Sequence, residues 1–136
     1  PGQVDRADVR LPTNNVDILP TILAIAGKEI PETLEGQILP GMGGDENAER
    51  HIFSMAAWQN SAFLPLTKAA FAMRKGAHKL IVYLGYGGEN GIYELYDVEK
   101  DPEELRDLRK TEPSIFSVLL EEFSARLAEA NRPFEK

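Results

Sequence analysis

Two apolar-rich runs, residues 67–74 and 78–84, are joined by only Lys75-Gly76-Ala77. So short a connection leaves one arrangement. The runs must fold back as antiparallel neighbours, because a parallel crossover needs a dozen residues or more. A third run, His51-Ile52-Phe53-Ser54-Met55-Ala56-Ala57, precedes this hairpin. A glycine-rich loop, Gly85 to Gly91, leads into a fourth, Ile92 to Asp97. There Ile92, Glu94 and Tyr96 fall on one face and Tyr93, Leu95 and Asp97 on the other. Near the end of the chain Ile115, Leu119, Phe123 and Leu127 recur every four residues, flanked by Phe116, Leu120 and Ala130. That is a single apolar stripe, suited to a helix lying across a sheet, with Thr111 or Glu112 opening it and Pro113 in its first turn. Asp101-Pro102-Glu103-Glu104 has the cap, proline and acid spacing of a capping box, which predicts one or two helical turns ending near Leu108. The expected fold is α+β: a four-stranded antiparallel sheet with a C-terminal helix packed on one face.

The first third of the chain reads differently. Pro1 to Asn15 has no hydrophobic period and reads as an extended connector. A short helix is predicted next, with Asp17 as its cap, Pro20 in its first turn and Gly27 at its left-handed C-terminal position. Between them Ile18, Leu19, Ile22, Leu23, Ile25 and Ala26 are apolar on nearly every side, so this helix wants a larger core than the remaining residues offer. Lys28 to Asn47 is rich in glycine and proline and reads as loop. Residues 1–44 are therefore expected to be an arm and helix belonging to another domain, and residues 45–136 a small domain.

Composition excludes several classes of function. The 136 residues are 43% hydrophobic and 27% charged, the balance of a folded globular chain. A formal net charge of −7 disfavours nucleic acid and anionic membrane surfaces, which both select basic faces. The longest apolar run, around Ile22 to Ala26, falls far short of the roughly 20 residues that span a bilayer. With no cysteine there is no disulfide, thiolate metal site or cysteine nucleophile.

Candidate chemistry is sparse. Ser54, Ser61, Ser114, Ser117 and Ser124 lack a nucleophile-elbow motif, and His51 and His78 have no metal-pair spacing. The glycines Gly85, Gly87, Gly88 and Gly91 open a strand rather than a helix, so they form a hairpin loop and not a phosphate cradle. Asp97, Glu99, Asp101 and Glu103 alternate like early calcium-loop ligands. Pro102 stands where such a loop needs glycine, and Leu108 where it needs a bidentate glutamate, so no metal is assigned. Trp58-Gln59-Asn60 is the one candidate binding group, because an indole beside two amides can stack on a sugar ring and hydrogen-bond it. Tryptophan more commonly closes the edge of a core.

Four stretches, in order, carry a resemblance. They are Pro1-Gly2, Val16-Asp17-Ile18-Leu19-Pro20-Thr21-Ile22-Leu23-Ala24-Ile25-Ala26-Gly27, and Leu34-Glu35-Gly36-Gln37-Ile38-Leu39-Pro40. The last runs from Ala72-Met73-Arg74-Lys75-Gly76-Ala77-His78-Lys79-Leu80-Ile81 through Glu94-Leu95-Tyr96-Asp97 to Asp101-Pro102-Glu103-Glu104. Together the chain resembles the C-terminal region of the sulfatases, within the alkaline-phosphatase-like superfamily. Glu35 and Ile38 are mild departures from the family's Asp and Ser.

The resemblance implies a parent sulfuric-ester hydrolase with a calcium ion and a formylglycine made from Cys or Ser in a C/S-x-P-x-R motif. That motif is absent here, so the fragment is expected to have no catalytic residue, no metal ligand and no activity alone. Its implied partners are the missing N-terminal catalytic domain and, in the parent, a sulfate ester; self-association through the apolar helix is also expected. Export of the parent to the periplasm or outside the cell is a further implication. The alternatives are the same region of a phosphonate or phosphodiester hydrolase, or a non-catalytic binding module.

Overall fold

The computed structural model describes residues 6, 8–58, 63–87 and 91–134. It divides into two compact units, Pro1–Ile52 and Phe53–Lys136.

In the first unit a short 3-10 turn, Asn15–Asp17, runs into helix α1, Ile18–Ile25. The helix ends as the sequence predicts: Gly27 has φ +62°, and the Lys28 N–H donates to Leu23 O at 2.8 Å. Its start is different. Asp17 does not cap α1 but lies fully buried, already in helical conformation. Its carboxylate accepts from the backbone N–H of Asn14 at 2.8 Å and of Gln37 at 3.1 Å, and from both terminal nitrogens of Arg50, at 2.6 and 2.7 Å. Thr21 Oγ1 donates to Asp17 O and accepts from the Leu39 N–H at 2.8 Å. One carboxylate and one hydroxyl thus pin the loop after α1 to the helix. The apolar side chains expected to seek a core are exposed in this chain: Ile18, Leu19, Ile22 and Ile25 each keep half or more of their surface.

The second unit holds the four-stranded antiparallel sheet, ordered β1 (Ile52–Ala56), β2 (Ala69–Lys75), β3 (His78–Leu84) and β4 (Ile92–Asp97). The β2–β3 register pairs Lys75 with His78 across the tight turn, and the β3–β4 register pairs Tyr83 with Ile92. Alternation sends Ala69, Phe71, Met73, Leu80, Val82 and Leu95 to one face. Helix α2, Pro113–Asn131, lies on that face with Leu119 and Phe123 buried and Ile115, Phe116, Leu120 and Leu127 packed beside them. Phe71 and Phe123 meet edge to face, with ring centroids 5.2 Å apart. The helix starts after Glu112 with Pro113 at its first positions, as expected.

The helical turns predicted for residues 101–108 do not form. Glu104 takes φ +56°, which a helix cannot accommodate, and its carboxylate reaches Lys79 Nζ at 2.7 and 3.0 Å. Asp101 caps a turn instead: its Oδ2 accepts from the Arg106 N–H at 2.8 Å. The chain then runs along the outer edge of β4, where the Leu108 N–H donates to Leu95 O at 2.7 Å. The Leu95 N–H donates to Asp107 Oδ1 at 3.2 Å. Edge pairing of β4 outweighs the local capping signal.

Candidate functional site

One end of the sheet bears three exposed aromatic side chains of the second unit, Trp58, Phe63 and Tyr86. At this end β1 leaves and β2 begins, while β3 leaves and β4 begins. Trp58 follows β1 and is 92% exposed, so it does not close the edge of the core. Phe63 and Leu64 are exposed on the same connection. That connection is held from behind: the Leu66 N–H donates to Asn131 Oδ1 at 2.7 Å, and Asn131 Nδ2 donates to Leu66 O at 3.3 Å. The last residue of α2 therefore clips the loop, and exposure of its aromatic residues is not the result of a missing anchor.

The β3–β4 loop approaches from the other side. Gly85 has φ +71°, and a Cβ there would strike Thr67 O and come within 3.1 Å of Lys68 Cα, so only glycine lets the two segments touch. The contact brings Lys68 Nζ to 5.0 Å from the centroid of the Tyr86 ring. Tyr86 and Ile92 are partly exposed beside it. Gly85, Gly87 and Gly91 all take positive φ in a connection between antiparallel strands, the hairpin role the sequence implies. Trp58 is thus placed on a solvent-facing rim. Its sequence neighbours Gln59 and Asn60 lie outside the described residues.

Several other polar side chains are engaged in structure. His78 Nε2 lies 3.2 Å from Glu112 Oε2, tying β3 to the start of α2, and Lys75 Nζ bonds Glu122 at 2.5 Å. Ser117 and Ser124 donate to the carbonyls one helical turn back, at Pro113 and Leu120. Asp97 accepts from the N–H groups of Glu99 and Lys100 and from Lys100 Nζ at 2.7 Å, which folds the turn after β4. Those bonds to Lys100 hold its carboxyl below the usual range. On the sheet face away from α2, burial and then the Glu94 carboxylate push the Tyr96 hydroxyl up to about 12, and the same causes raise Tyr83. Among the described residues no three His, Asp or Glu side chains come together to hold a metal ion.

Among the described residues, the arrangement is a rim of exposed aromatic rings with a lysine beside one of them. Residues 1–132 match the family of the N-sulphoglucosamine sulphohydrolase C-terminal region. The chain belongs to this sulfatase family. A Delta 4,5-hexuronate-2-O-sulfatase of Bacteroides thetaiotaomicron is 31% identical over 107 residues, 78% of this chain and 21% of the relative. A solved 2-O GAG sulfatase is 27% identical with a TM-score of 0.63, covering 88% of this chain and 26% of that one. A protein solved in complex with its substrate D-glucosamine-2-N,6-O-disulfate shares the fold at 24% identity and a TM-score of 0.58, with 88% and 25% covered. The sulfatase C-terminal chain thus spans about a quarter of the length of the relatives it matches.

Sequence reasoning passed over Lys68 and Tyr86. The available signal was an aromatic residue held between two glycines, Gly85 and Gly87, in a loop already read as a hairpin connection. The Asp17–Arg50 pair left no local signal, because its members are 33 residues apart.

Proposed function

We propose that this sulfatase C-terminal chain is part of a longer sulfuric-ester hydrolase acting on a sulfated, uronate-bearing sugar. In this reading residues 1–44 belong to the parent's main domain, and residues 45–136 form a subdomain that completes the fold and lines the substrate pocket. The observation that carries it is a family match over residues 1–132 in a chain that covers only 21% of its hexuronate sulfatase relative. Relatives that are sulfatases favour this reading over a phosphonate or phosphodiester hydrolase.

When bound, calcium and formylglycine would supply the parent with a charge clamp and a hydrated aldehyde nucleophile. This chain fits neither group: it has no cysteine, its serines lie in no C/S-x-P-x-R motif, and among the described residues no carboxylates gather into a metal site. No chemical step is therefore assigned to its residues. Its contribution is to shape and contact. Trp58, with Gln59 and Asn60, is assigned to the substrate rim, and the exposed face of α1 to packing against the main domain. Without that domain, α1 is expected to bring copies of the chain together. Export of the parent accords with a saccharide substrate met outside the cytoplasm.

The test is to express the longer protein encoded around this segment and measure sulfate release from a 2-O-sulfated Δ4,5-unsaturated hexuronate disaccharide. Release that depends on calcium and on an upstream C/S-x-P-x-R residue is the expected outcome. A longer protein that hydrolyses phosphodiesters or phosphonates but no sulfate ester overturns the reading. Within an active parent, Trp58→Ala is expected to lower kcat/KM about tenfold, the scale of one lost stacking contact. An unchanged value makes the tryptophan idle in recognition.

A further inference from the structure

Helix α1 is amphipathic with its two sides exchanged. The inward side holds Pro20 and Thr21, with Asp17 just before them, and is fixed by bonds to Gln37, Leu39 and Arg50. The outward side is aliphatic: Ile18, Ile22 and Ile25 follow at helical spacing with Leu19 beside them, and all four keep half or more of their surface. The inward bonds prevent the helix from rolling to bury this ridge. A loop completes the surface. A Cβ on Gly36 would lie 2.0 Å from Val16 O, so the chain after α1 returns with its backbone against the start of the helix. The result is an open groove of about 510 Å³, lined by Ile18, Leu19 and Ile22 from the helix and by Thr33, Leu34 and Gly36 from the loop. Glu35 also lines it, and Glu29 and Glu32 are exposed earlier on the same loop. Residues 28–36 set these three carboxylates against a single cation, Lys28, and none of the three has an ion-pair partner among the described residues. A contiguous apolar surface with a charged rim marks an interaction site.

We infer that this groove seats an amphipathic segment of the longer protein, with aliphatic anchors on one side and Lys or Arg on the flank that faces Glu35. This rests on the longer-hydrolase reading above and deepens it by naming the chemistry of what α1 meets. The aliphatic anchors enter between the helix and the loop and cover the Ile18–Ile22–Ile25 ridge. The carboxylates set the orientation of the segment and reject an acidic one. The relatives supply the length: this chain spans only 21% and 26% of two that it matches, so most of such a protein is available to cover the groove. A second copy of the chain is the poorer occupant, because a two-fold contact through α1 sets the same carboxylates against one another.

Amide hydrogen exchange, compared between the longer protein and the 136-residue chain at a concentration where the chain is monomeric, tests this directly. In the longer protein the amides of α1 and of residues 28–36 are expected to exchange about tenfold more slowly or slower still. Ile22→Asp should erase that added protection, while the circular dichroism of the 136-residue chain stays unchanged because the site is exposed there. Replacing Glu29, Glu32 and Glu35 together by Gln should cut the added protection about fivefold, the scale of a few exposed ion pairs. Raising sodium chloride from about 0.02 to 0.3 M should do the same to the unsubstituted protein and nothing to the triple variant. Equal exchange of α1 in the two proteins overturns the inference, as does protection that survives Ile22→Asp. Protection that grows with protein concentration means that a second copy fills the groove, and overturns it too. Protection indifferent both to salt and to the triple substitution overturns the basic flank. Sulfate release by a longer protein whose α1 is unprotected refutes the docking inference alone. Full protection in a longer protein that releases no sulfate refutes the hydrolase reading alone.

Discussion

Asp17 concentrates more of the first unit's order than any other side chain. It is buried without residual exposure, and its two oxygens answer four N–H groups from three separate segments. The hydrogen bonds from Arg50 hold its carboxyl down at about 2 despite the opposing effect of burial. Because the folded value lies below the unfolded one, the pair stabilises fully above about pH 4, and that contribution is lost as pH falls toward 2. The shift from 3.8 corresponds to roughly 2 kcal/mol at neutral pH. Asp17→Asn should therefore flatten the acid limb of stability, which urea midpoints between pH 2 and 6 will show. Removing Arg50 alone, as Arg50→Met, should cost more, about 3–5 kcal/mol, because it strands a buried charge. If Arg50→Met unfolds no more easily than the parent chain, the pair is dispensable. None of this was readable beforehand. The sequence places Asp17 next to a helix start, where a cap is the ordinary inference, and only the folded chain brings Arg50 to it.

At the scale of elements, the strands were legible because turns and alternation agree. β3 and β4 have the predicted ends, and β1 and β2 differ from prediction by one or two residues. The stripe through Leu119 and Phe123 correctly identified the buried side of α2. The failure at residues 101–108 is instructive: Asp-Pro-Glu-Glu is a sound local start signal, but Glu104 has a better partner in Lys79 and the β4 edge has unpaired groups to satisfy. Two outcomes follow from the packing. Phe123→Ala, which deletes a ring from the centre of the core, should cost about 3–5 kcal/mol in chemical denaturation. Asn131→Ala should leave the sheet intact while the Leu66 amide exchanges faster by about tenfold, the size of one lost hydrogen bond. Exchange at Leu66 as slow as in the parent chain would mean that another contact anchors the loop. The exposed aromatic rim was only half legible, since Trp58 announces itself by type whereas Lys68 and Tyr86 meet through a loop contact that no spacing predicts.

For the molecule as a whole, the decisive fact is an apolar helix with little to bury it. Burial of one large aliphatic side chain is worth about 1.5–3 kcal/mol, and Ile18, Leu19, Ile22 and Ile25 are all largely exposed in the single chain. The chain is therefore expected to gain mass with concentration in sedimentation or light scattering, whereas a version beginning near Asp45 should not. A full chain that stays monomeric with α1 ordered would show that this surface tolerates water. The purified chain is also expected to hydrolyse no aryl sulfate above the buffer rate, with or without calcium. Turnover abolished by a point substitution within these residues would contradict that.

The strip of chain beside β4 has a consequence for assembly of a different kind. Leu108 and Asp107 occupy both backbone groups of Leu95, at the middle of the outer strand. A sheet can propagate from molecule to molecule only if each copy has two pairing edges. Here the edge at β4 is obstructed at its centre, leaving β1 as the other outer strand. Any strand-to-strand joining of copies would have to be β1 against β1, which closes on itself as a two-fold pair. The segment that defied its helical signal thus acts as a chain terminator, and fibre growth through this sheet stops at two.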